Sequence, residues 1–493
     1  MQRRSREERK LQYLDAAIAI LAESVDVSED HSGLALAHVK IDDVAERANV
    51  TKGAIYHIWP TQEAYWAELL QAMLAETTAA GSKFADWAEE VTRPDYDGPP
   101  PTHLDVCRVG LESRLANSAS YIRASVQSYP SDEGISDHLD HEAQEVASIY
   151  PSATESIITS AGRTIRPDIS YSQIIALLDA LLNGLVILHQ YYPEQIRNLV
   201  LEDGSTVDPY SIVSESAMLR FSTADADVDA GSIPFKSILG IPLDGPSLES
   251  IRNHAESVAS TATTSDAADR EAFYIRTGLD LLKEINPSIA AVGTIDALGN
   301  VRIADVAQRV GVSKGSIYHL WPSQELFRLD VLKHILTTWS DFSAMAIAAL
   351  MDRSKAEGWT PEELLRNASD LAFDACKADP TFLARFSFAL HVANPEVASA
   401  FRDGNFKVNQ QFSALLDKVL TDQGRKLRAP IDLSILSSYV EAALYGLILL
   451  NGTSPDLVDG HRRHLAEDAP KPPSYLAEMI AGLCEYLSEP IDS

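Results

Sequence analysis

The chain has 493 residues, of which 45% are hydrophobic and 23% are charged, a balance that argues against a fibrous or wholly disordered protein. Its 41 basic and 71 acidic side chains give a net charge of -30, which taken alone disfavours DNA as a partner because DNA binding needs Lys and Arg against phosphates. The three cysteines lie far apart, which argues against a zinc ribbon, a redox pair or a disulfide framework. The longest apolar stretch, residues 174–188, is interrupted by Asp179 and Asn183, and the N-terminus lacks the apolar region of a secretory signal. We therefore expect a cytoplasmic protein with no membrane partner.

Apolar residues recur at three- and four-residue steps from the start of the chain, and strand signals are weak throughout, so the sequence predicts a nearly all-α fold. The apolar positions of the first expected helix are Leu14, Ala17, Ile18 and Leu21. A basic stretch precedes them, formed by Arg3, Arg4, Arg6, Arg9 and Lys10.

Residues 41–63 and 303–325 are copies of one another. They read IDDVAERANVTKGAIYHIWPTQE and IADVAQRVGVSKGSIYHLWPSQE, with 15 of 23 positions identical, without a gap, at an offset of 262. The same offset aligns residues 179–190 with residues 441–452 and matches Gly184 with Gly446. Two distant segments with one offset indicate that a whole unit is duplicated.

Each unit is expected to hold a small head followed by a larger helical body. A segment rich in Ala, Ser, Thr, Gly, Pro and Asp joins the two units, as is typical of a linker, and residues 246–260 can form one short helix within it. We name five regions: the first head (1–66), the first body (67–221), the linker (222–265), the second head (266–328) and the second body (329–493).

Each head is predicted to contain two short helices joined by a tight turn, the helix-turn-helix pattern. The first helix begins at Ile41, and the turn falls at Asn49 or, in the second copy, at Gly311, the residue types that best tolerate a positive φ. Thr51 and Ser313 are good N-caps for the second helix. The helix is expected to end before Pro60 and Pro322, the next one to be capped by Thr61 and Ser323, and the core to include Trp59 and Trp321.

The second short helix has the chemistry of a helix that contacts DNA in the major groove. Its N-terminus presents backbone N–H groups to a phosphate, and Lys52 and Lys314 add a cation at the same end. Gly53 and Gly315 allow close approach of the backbone. Side chains that can donate to phosphates or base edges are Tyr56, His57, Tyr318 and His319. Two alternatives stay open: the helix pair serves only for packing, or the histidines only fill the helix surface.

Residues 44–63, VAERANVTKGAIYHIWPTQE, resemble the DNA-binding module of tetracycline-repressor-type (TetR-family) regulators. The resemblance covers both heads and extends to the bodies by architecture alone. It implies all-α homodimers in which a three-helix head binds DNA and a helical body carries a ligand pocket and the dimer interface. The expected DNA-binding positions in the first copy are Thr51, Lys52, Gly53, Ala54, Tyr56 and His57, and in the second copy Ser313, Lys314, Gly315, Ser316, Tyr318 and His319. Lys40 and Arg302 are further candidates for DNA binding, although they depart from the family, in which a Thr is common at that position. Gln62 and Gln324 depart from the family, which often has a phosphate-contacting Lys there.

Because one chain carries both heads, we expect it to fold as a pseudo-dimer, a monomer whose two halves pair like subunits. The segments 172–189, 209–221, 434–451 and 474–487 would supply a four-helix interface, unless they are only core helices. The predicted function is that of a transcriptional regulator, a repressor, which reads a near-palindromic operator in double-stranded DNA. The basic stretch with Arg3 and Arg4 is either an arm that reaches one half-site or a solvated tail.

Aromatic residues of the bodies fit core positions by their helical spacing. By the resemblance, some of them would line a pocket for a small apolar effector: Phe84, Trp87 and Tyr121 in the first body, and Phe342, Phe382 and Phe386 in the second. No catalytic motif is present, so the sequence predicts neither an enzyme nor a cofactor. The paired histidines of residues 137–142 and 461–464 lack further ligands and are interpreted as solvated helix faces rather than a metal site.

The rival function is that of a helical protein-interaction module whose heads have lost affinity for DNA. The net charge of -30 and the two glutamines, Gln62 and Gln324, favour this alternative.

Overall fold

The computed structural model describes residues 5–10, 12–13, 15–16, 39–62, 64–69, 72, 81–116, 120, 140–141, 144, 147, 150–224, 235–259, 273–274, 277–278, 301–379, 382, 395–463 and 472–491. In this part of the chain the protein is mostly helical, as the sequence predicts, and its strands are short.

In the first half of the chain the helices are α1 (Ile41–Arg47), α2 (Lys52–Tyr56), α3 (Gly81–Val91), α4 (His103–Ala116), α5 (Pro151–Ser160), α6 (Tyr171–Tyr191) and α7 (Pro209–Arg220). The linker contains α8 (Gly245–Ala259). In the second half they are α9 (Ile303–Val310), α10 (Lys314–Tyr318), α11 (Gln324–Glu357), α12 (Pro361–Ala378), α13 (Pro395–Asp422), α14 (Leu433–Thr453), α15 (Pro455–Arg463) and α16 (Tyr475–Tyr486).

The strands form antiparallel pairs. They are β1 (Arg163–Ile165), β2 (Leu199–Val200), β3 (Thr206–Val207), β4 (Ser222–Ala224), β5 (Arg425–Leu427) and β6 (Ser488–Pro490), paired as β1 with β4, β2 with β3, and β5 with β6. Arg163 and Arg425, which the offset of 262 matches, have matching roles: Arg163 Nε donates to Ser222 Oγ at 2.8 Å, and Arg425 Nε donates to Ser488 Oγ at 2.7 Å. The repeated arginines therefore close equivalent strand pairs in the two halves.

Local sequence explains where the long helices begin. Ser170 and Gln173 form a reciprocal capping box at the start of α6. Asp208 accepts a hydrogen bond from the backbone of Ser211 at the start of α7, and Pro209 occupies the first helical position. At the start of α14, Asp432 caps in the same way. Side-chain caps replace the hydrogen bonds that the first N–H groups of a helix lack.

Helices α6 and α14 form the centre of the protein. They pack against each other, α7 packs against α16, and the four helices share one apolar core. Both α6 and α14 are long and apolar enough to cross a membrane by length and composition, yet 72% of the apolar window in each lies buried inside the protein. Their all-round apolar character is that of helices covered on every side by protein.

The crossing of α6 and α14 depends on two glycines. A Cβ atom built on Gly184 would overlap the carbonyl oxygen of Ala442, and one built on Gly446 would overlap the carbonyl oxygen of Ala180. The two contacts are reciprocal, since the offset of 262 relates Gly184 to Gly446 and Ala180 to Ala442. Reciprocal contact of equivalent residues is the arrangement that a two-fold axis produces.

The second part of the linker is folded onto the first body. Helix α8 packs against α3 and α5, and the residues before it are bonded to the backbone of α4, since Leu104 N donates to Leu239 O at 2.9 Å. Glu215 of α7, fully buried, accepts hydrogen bonds from Ile238 N at 2.8 Å and from the Tyr486 hydroxyl of α16. This carboxylate therefore joins both bodies and the linker at one point.

We predict that Gly184→Ala lowers the free energy of unfolding by about 3 kcal/mol, because the added methyl group must push α14 away from α6. Urea unfolding followed by circular dichroism measures the change. Gly240→Ala is the matched control, because a Cβ at Gly240 meets no atom within 4 Å. Equal effects of the two substitutions would contradict the close crossing.

Candidate nucleic-acid interface

The two short helices of each head pack through a small apolar core. In the first head, Val44 and Ala45 of α1 and Ile55 of α2 are buried. In the second, the equivalent residues Val306, Ala307 and Ile317 are buried as well. The apolar residues that the two copies share therefore account for the packing of each helix pair, and the polar residues between them lie on the surface.

The turns between these helices have the backbone conformation that the sequence predicts. Asn49 has φ of 53° and Gly311 has φ of 71°, both in the left-handed region that Asn and Gly tolerate best. After the second short helix, Thr61 Oγ1 accepts from Ala64 N and Ser323 Oγ accepts from Leu326 N, each at 3.2 Å. At the start of the second short helix, Ser313 Oγ accepts from Ser316 N at 3.2 Å, whereas Thr51 makes no side-chain cap hydrogen bond. The caps predicted after Pro60 and Pro322 are thus present in both heads, and the side-chain cap predicted for the second short helix is present only in the second head.

Trp59 and Trp321 hold each helix pair to the helix that follows. Each indole is 3% exposed, in agreement with the predicted core position. Trp59 Nε1 donates to Glu68 at 2.6 Å, and Trp321 Nε1 donates to Asp330 at 2.9 Å. A buried indole N–H needs such a partner, and both heads supply a carboxylate at the same relative position.

The polar face of the second short helix is open to solvent in both heads. Tyr56 is 41% exposed and Tyr318 is 44% exposed, and neither hydroxyl has a hydrogen-bond partner among the described residues. The other exposed members of this face are Thr51, Lys52, Gly53, His57, Ser313, Lys314, Gly315 and His319, while Ala54 and Ser316 are half-buried. Lys40 and Arg302 are exposed at the N-cap positions of α1 and α9.

The two heads differ in their charges. Lys52 of the first head forms an ion pair with Asp42. The residue that matches Asp42 in the second head is Ala304, and Lys314 forms no ion pair within the described part of the chain. The lysine of the second head is therefore the more available of the two for an anionic partner.

Gln62 and Gln324 have a structural role. Gln324 Nε2 donates to Val301 O at 2.9 Å, and its Oε1 accepts from Ile303 N at 2.8 Å. Gln62 Nε2 donates to Val39 O at 3.4 Å. In each head these bonds join the start of the helix that follows the tryptophan to the backbone just before the short-helix pair. This structural role accounts for a glutamine where the resemblance would place a lysine.

The basic N-terminal stretch is described only in part. Arg3 and Arg4 lie outside the described residues, as do His138 and His464 of the paired histidines. Arg6 is exposed. Lys10 Nζ lies 5.7 Å from the centroid of the Trp321 ring, so this cation faces the second head.

A cavity opens in the first body. It has an empty volume of about 920 Å³, mouth included, and Phe84 lines it as the sequence predicts. Trp87 packs against Phe84 with ring centroids 5.6 Å apart but is not in the cavity wall, and Tyr121 lies outside the described residues. Leu243 and Ile251 of the linker complete the wall.

Polar side chains that line the first cavity are paired with polar neighbours. Arg114 and Asp179 form a buried ion pair at 3.0 Å. His103 Nε2 lies 3.1 Å from Ser214 Oγ, and burial lowers the pKa of this imidazole from 6.5 to about 4. Burial also raises the pKa of the Cys107 thiol. The histidine and the thiol are therefore neutral at pH 7.

A second cavity occupies the equivalent place in the second body and also has an empty volume of about 920 Å³, mouth included. Phe342 and Phe382 line it as predicted, and Phe386 lies outside the described residues. Glu441, which matches Asp179, accepts from Asn405 Nδ2 at 2.9 Å and from Asn409 Nδ2 at 3.1 Å.

The cavities therefore differ in chemistry although they share a place in the fold. The offset matches Arg114 with Cys376, which lines the second cavity, and His103 with Leu365, which does not, so neither polar side chain of the first cavity has a comparably polar counterpart in the second half. Sequence reasoning did not select these residues. The available signal was an acid, Asp179, within an otherwise apolar helix, since such a residue needs a buried polar partner.

The lowered pKa of His103 predicts a dependence of stability on pH. The unfolded chain takes up this proton below pH 6.5 and the folded chain only near pH 4, so the stability associated with neutral His103 is present above pH 6.5 and lost as the pH falls to 4. Relative to wild type, His103→Leu should therefore gain about 3 kcal/mol of unfolding free energy between pH 7.5 and pH 4. Urea unfolding across this range tests the change, with His141→Leu at an exposed position as control. A constant difference between His103→Leu and wild type would contradict the buried neutral imidazole.

The sequence matches no protein-family model, no curated protein and no solved structure. The two halves of the chain provide an internal comparison instead. Both copies expose equivalent polar side chains on the second short helix and bury equivalent apolar residues beneath it. This repeated exposed face is the feature from which we infer a function.

Proposed function

We propose that the protein is a sequence-specific DNA-binding regulator of transcription, similar to the TetR family, which reads a near-palindromic operator with two heads of one chain. The observation that carries the proposal is the repeated exposed face of α2 and α10. Tyr56 and Tyr318 are large aromatic residues exposed to solvent, at equivalent positions beside a lysine and a histidine, and their hydroxyls have no hydrogen-bond partner in the part of the chain that the structure describes. Tyrosine, lysine and histidine are residue types that donate to DNA phosphates and base edges.

The packing of the bodies supports the two-headed form of this proposal. Reciprocal contacts of Gly184 and Gly446 relate the two bodies as subunits of a symmetric dimer are related. A DNA-binding dimer uses the same symmetry to present two recognition helices to two half-sites. In the proposed pseudo-dimer one chain does so alone, and binding of a small apolar effector in a body cavity would release the operator.

The protein-interaction alternative is favoured by the charges around the first head. Asp42 competes with phosphate for Lys52, and Gln62 is bound to backbone, so the lysine of α2 is already paired, whereas Lys40 at the N-cap of α1 is exposed. The two functions differ in a direct way: only the regulator selects particular sequences from a mixture of DNA duplexes.

Selection from a random-sequence library of DNA duplexes tests the proposal. We expect enrichment of a site with two related half-sites, and footprints in which Tyr56→Ala loses protection of one half-site and Tyr318→Ala loses protection of the other. Loss of a phosphate or base contact should weaken binding by about tenfold for each substitution. Phe406→Ala, which removes an exposed aromatic ring of the second body, is the control and should bind normally. Recovery of no preferred sequence would refute the regulator and leave the interaction module.

The charge difference between the heads gives a second test. Asp42→Ala should raise affinity for the selected duplex about twofold to fivefold, because it frees Lys52 from an exposed ion pair, and Ala304→Asp should lower affinity by a similar factor. Fluorescence anisotropy at several salt concentrations measures both, with a steeper salt dependence expected for Asp42→Ala.

The matched control is Asp43→Ala, which removes the same charge from the same helix without freeing Lys52. If Asp43→Ala raises affinity as much as Asp42→Ala does, the effect is one of net charge alone and Lys52 has no specific contact.

A further inference from the structure

Two helical segments near the heads lie in places that sequence order does not predict. One consists of residues 5–10, 12–13 and 15–16, which precede the first head's short-helix pair and are called the leading segment. The other consists of residues 273–274 and 277–278, which precede the second head's pair and are called the middle segment. Each contains one buried tyrosine, Tyr13 or Tyr274.

The leading segment packs against the second head. The ring of Tyr13 meets the ring of Trp321 edge-on, with centroids 6.3 Å apart. Lys10 lies over the same indole, and Asp15 Oδ1 is 3.6 Å from Nε2 of His334 in α11. A segment at the start of the first half thus covers the core of the other half's head.

The middle segment packs against the first head. The ring of Tyr274 meets the ring of Trp59 edge-on, also with centroids 6.3 Å apart. The Tyr65 hydroxyl donates to the carbonyl oxygen of Tyr274 at 3.1 Å in a buried contact. At Gly278 a Cβ atom would overlap the Tyr65 hydroxyl and crowd Leu69, so the segment lies directly on the helix that follows Trp59.

These two sets of contacts are reciprocal. Trp59 and Trp321 are equivalent by the offset of 262, and each contacts a tyrosine from the segment that precedes the other head's short-helix pair, at the same ring separation. Edge-on aromatic pairs of this kind contribute to stability beyond the area that they bury.

We propose that each half completes the other half's head, so that the two heads form one interlocked unit instead of two independent modules. This exchange of the leading and middle segments between the heads fixes the placement of α2 relative to α10, because each head contains a helical segment that belongs to the other repeat. For the proposed regulator, on which the functional part of this inference rests, the spacing of the two half-sites is then set at the heads as well as in the bodies.

Cross-linking tests the exchange without DNA. Asp15→Cys combined with His334→Cys should be joined within one chain by a short bismaleimide. Asp15→Cys combined with Ala72→Cys should not be joined, because Ala72 is the first-half equivalent of His334 and would be the neighbour in a head built from contiguous sequence. The native cysteines are all buried, which keeps the background low. Joining of the Ala72 pair, joining between chains, or joining of neither pair would each overturn the proposal.

Hydrogen exchange provides a second readout. Tyr13→Ala should speed amide exchange at least tenfold in residues 314–321 and leave residues 52–59 unchanged, and Tyr274→Ala should do the reverse. Tyr13→Phe, which keeps the ring, is the control and should exchange like wild type. Faster amide exchange in the short-helix pair that follows each substituted tyrosine in sequence would contradict the proposed swap of segments between the heads. Equal changes in both heads would contradict it as well. Because no nucleic acid is present, failure here is distinguishable from failure to bind DNA.

Discussion

The approach of α6 to α14 determines how the rest of the molecule is arranged. Two helices can cross with their backbones in contact only where side chains are absent, and Gly184 and Gly446 provide that space against Ala442 and Ala180. The surrounding residues are large and aliphatic, so the close crossing also brings an extensive apolar surface out of water. The positions of α7, α16 and the two bodies follow from this central pair.

Polar contacts then fix the register of the two bodies. Glu478 of α16 accepts from Arg166 at 3.1 Å and from Arg220 at 2.8 Å, and both arginines belong to the other half. Burial raises the pKa of Glu215, which contacts Tyr486 and the linker backbone. Since buried carboxylates are stable only with their hydrogen bonds complete, these contacts favour one arrangement over others of similar apolar burial.

Features with a local cause could be predicted from the sequence. The short-helix pairs, the positive φ of Asn49 and Gly311, and the buried Trp59 and Trp321 all follow from residue type and spacing within a few turns of helix. The offset of 262 also relates Arg163 to Arg425, and the two arginines make equivalent hydrogen bonds. What the offset does not give is which half a segment packs against, because an internal repeat offers two identical partners and only the distant packing distinguishes them.

The same reason explains the missed polar groups of the cavities. Asp179 and Glu441 are visible in the sequence as acids within apolar helices, but their partners lie on helices far away in the chain, Arg114 in one body and Asn405 in the other. Sequence spacing has no means of pairing such residues. The composition of the linker predicts a connector with one short helix, but its attachment to α4 through Leu239 depends on a backbone hydrogen bond that any residue can make.

The crossing of α6 and α14 within a single polypeptide has a consequence for how assembly depends on protein concentration. A pair of separate subunits comes apart when it is diluted, because association depends on the concentration of each partner. In the proposed pseudo-dimer the chain itself would hold the partner at a high local concentration, so a solitary molecule would already be assembled. Substitutions in one half also need no counterpart in the other, and the divergence of Arg114 from Cys376 shows that the two cavities have become chemically distinct.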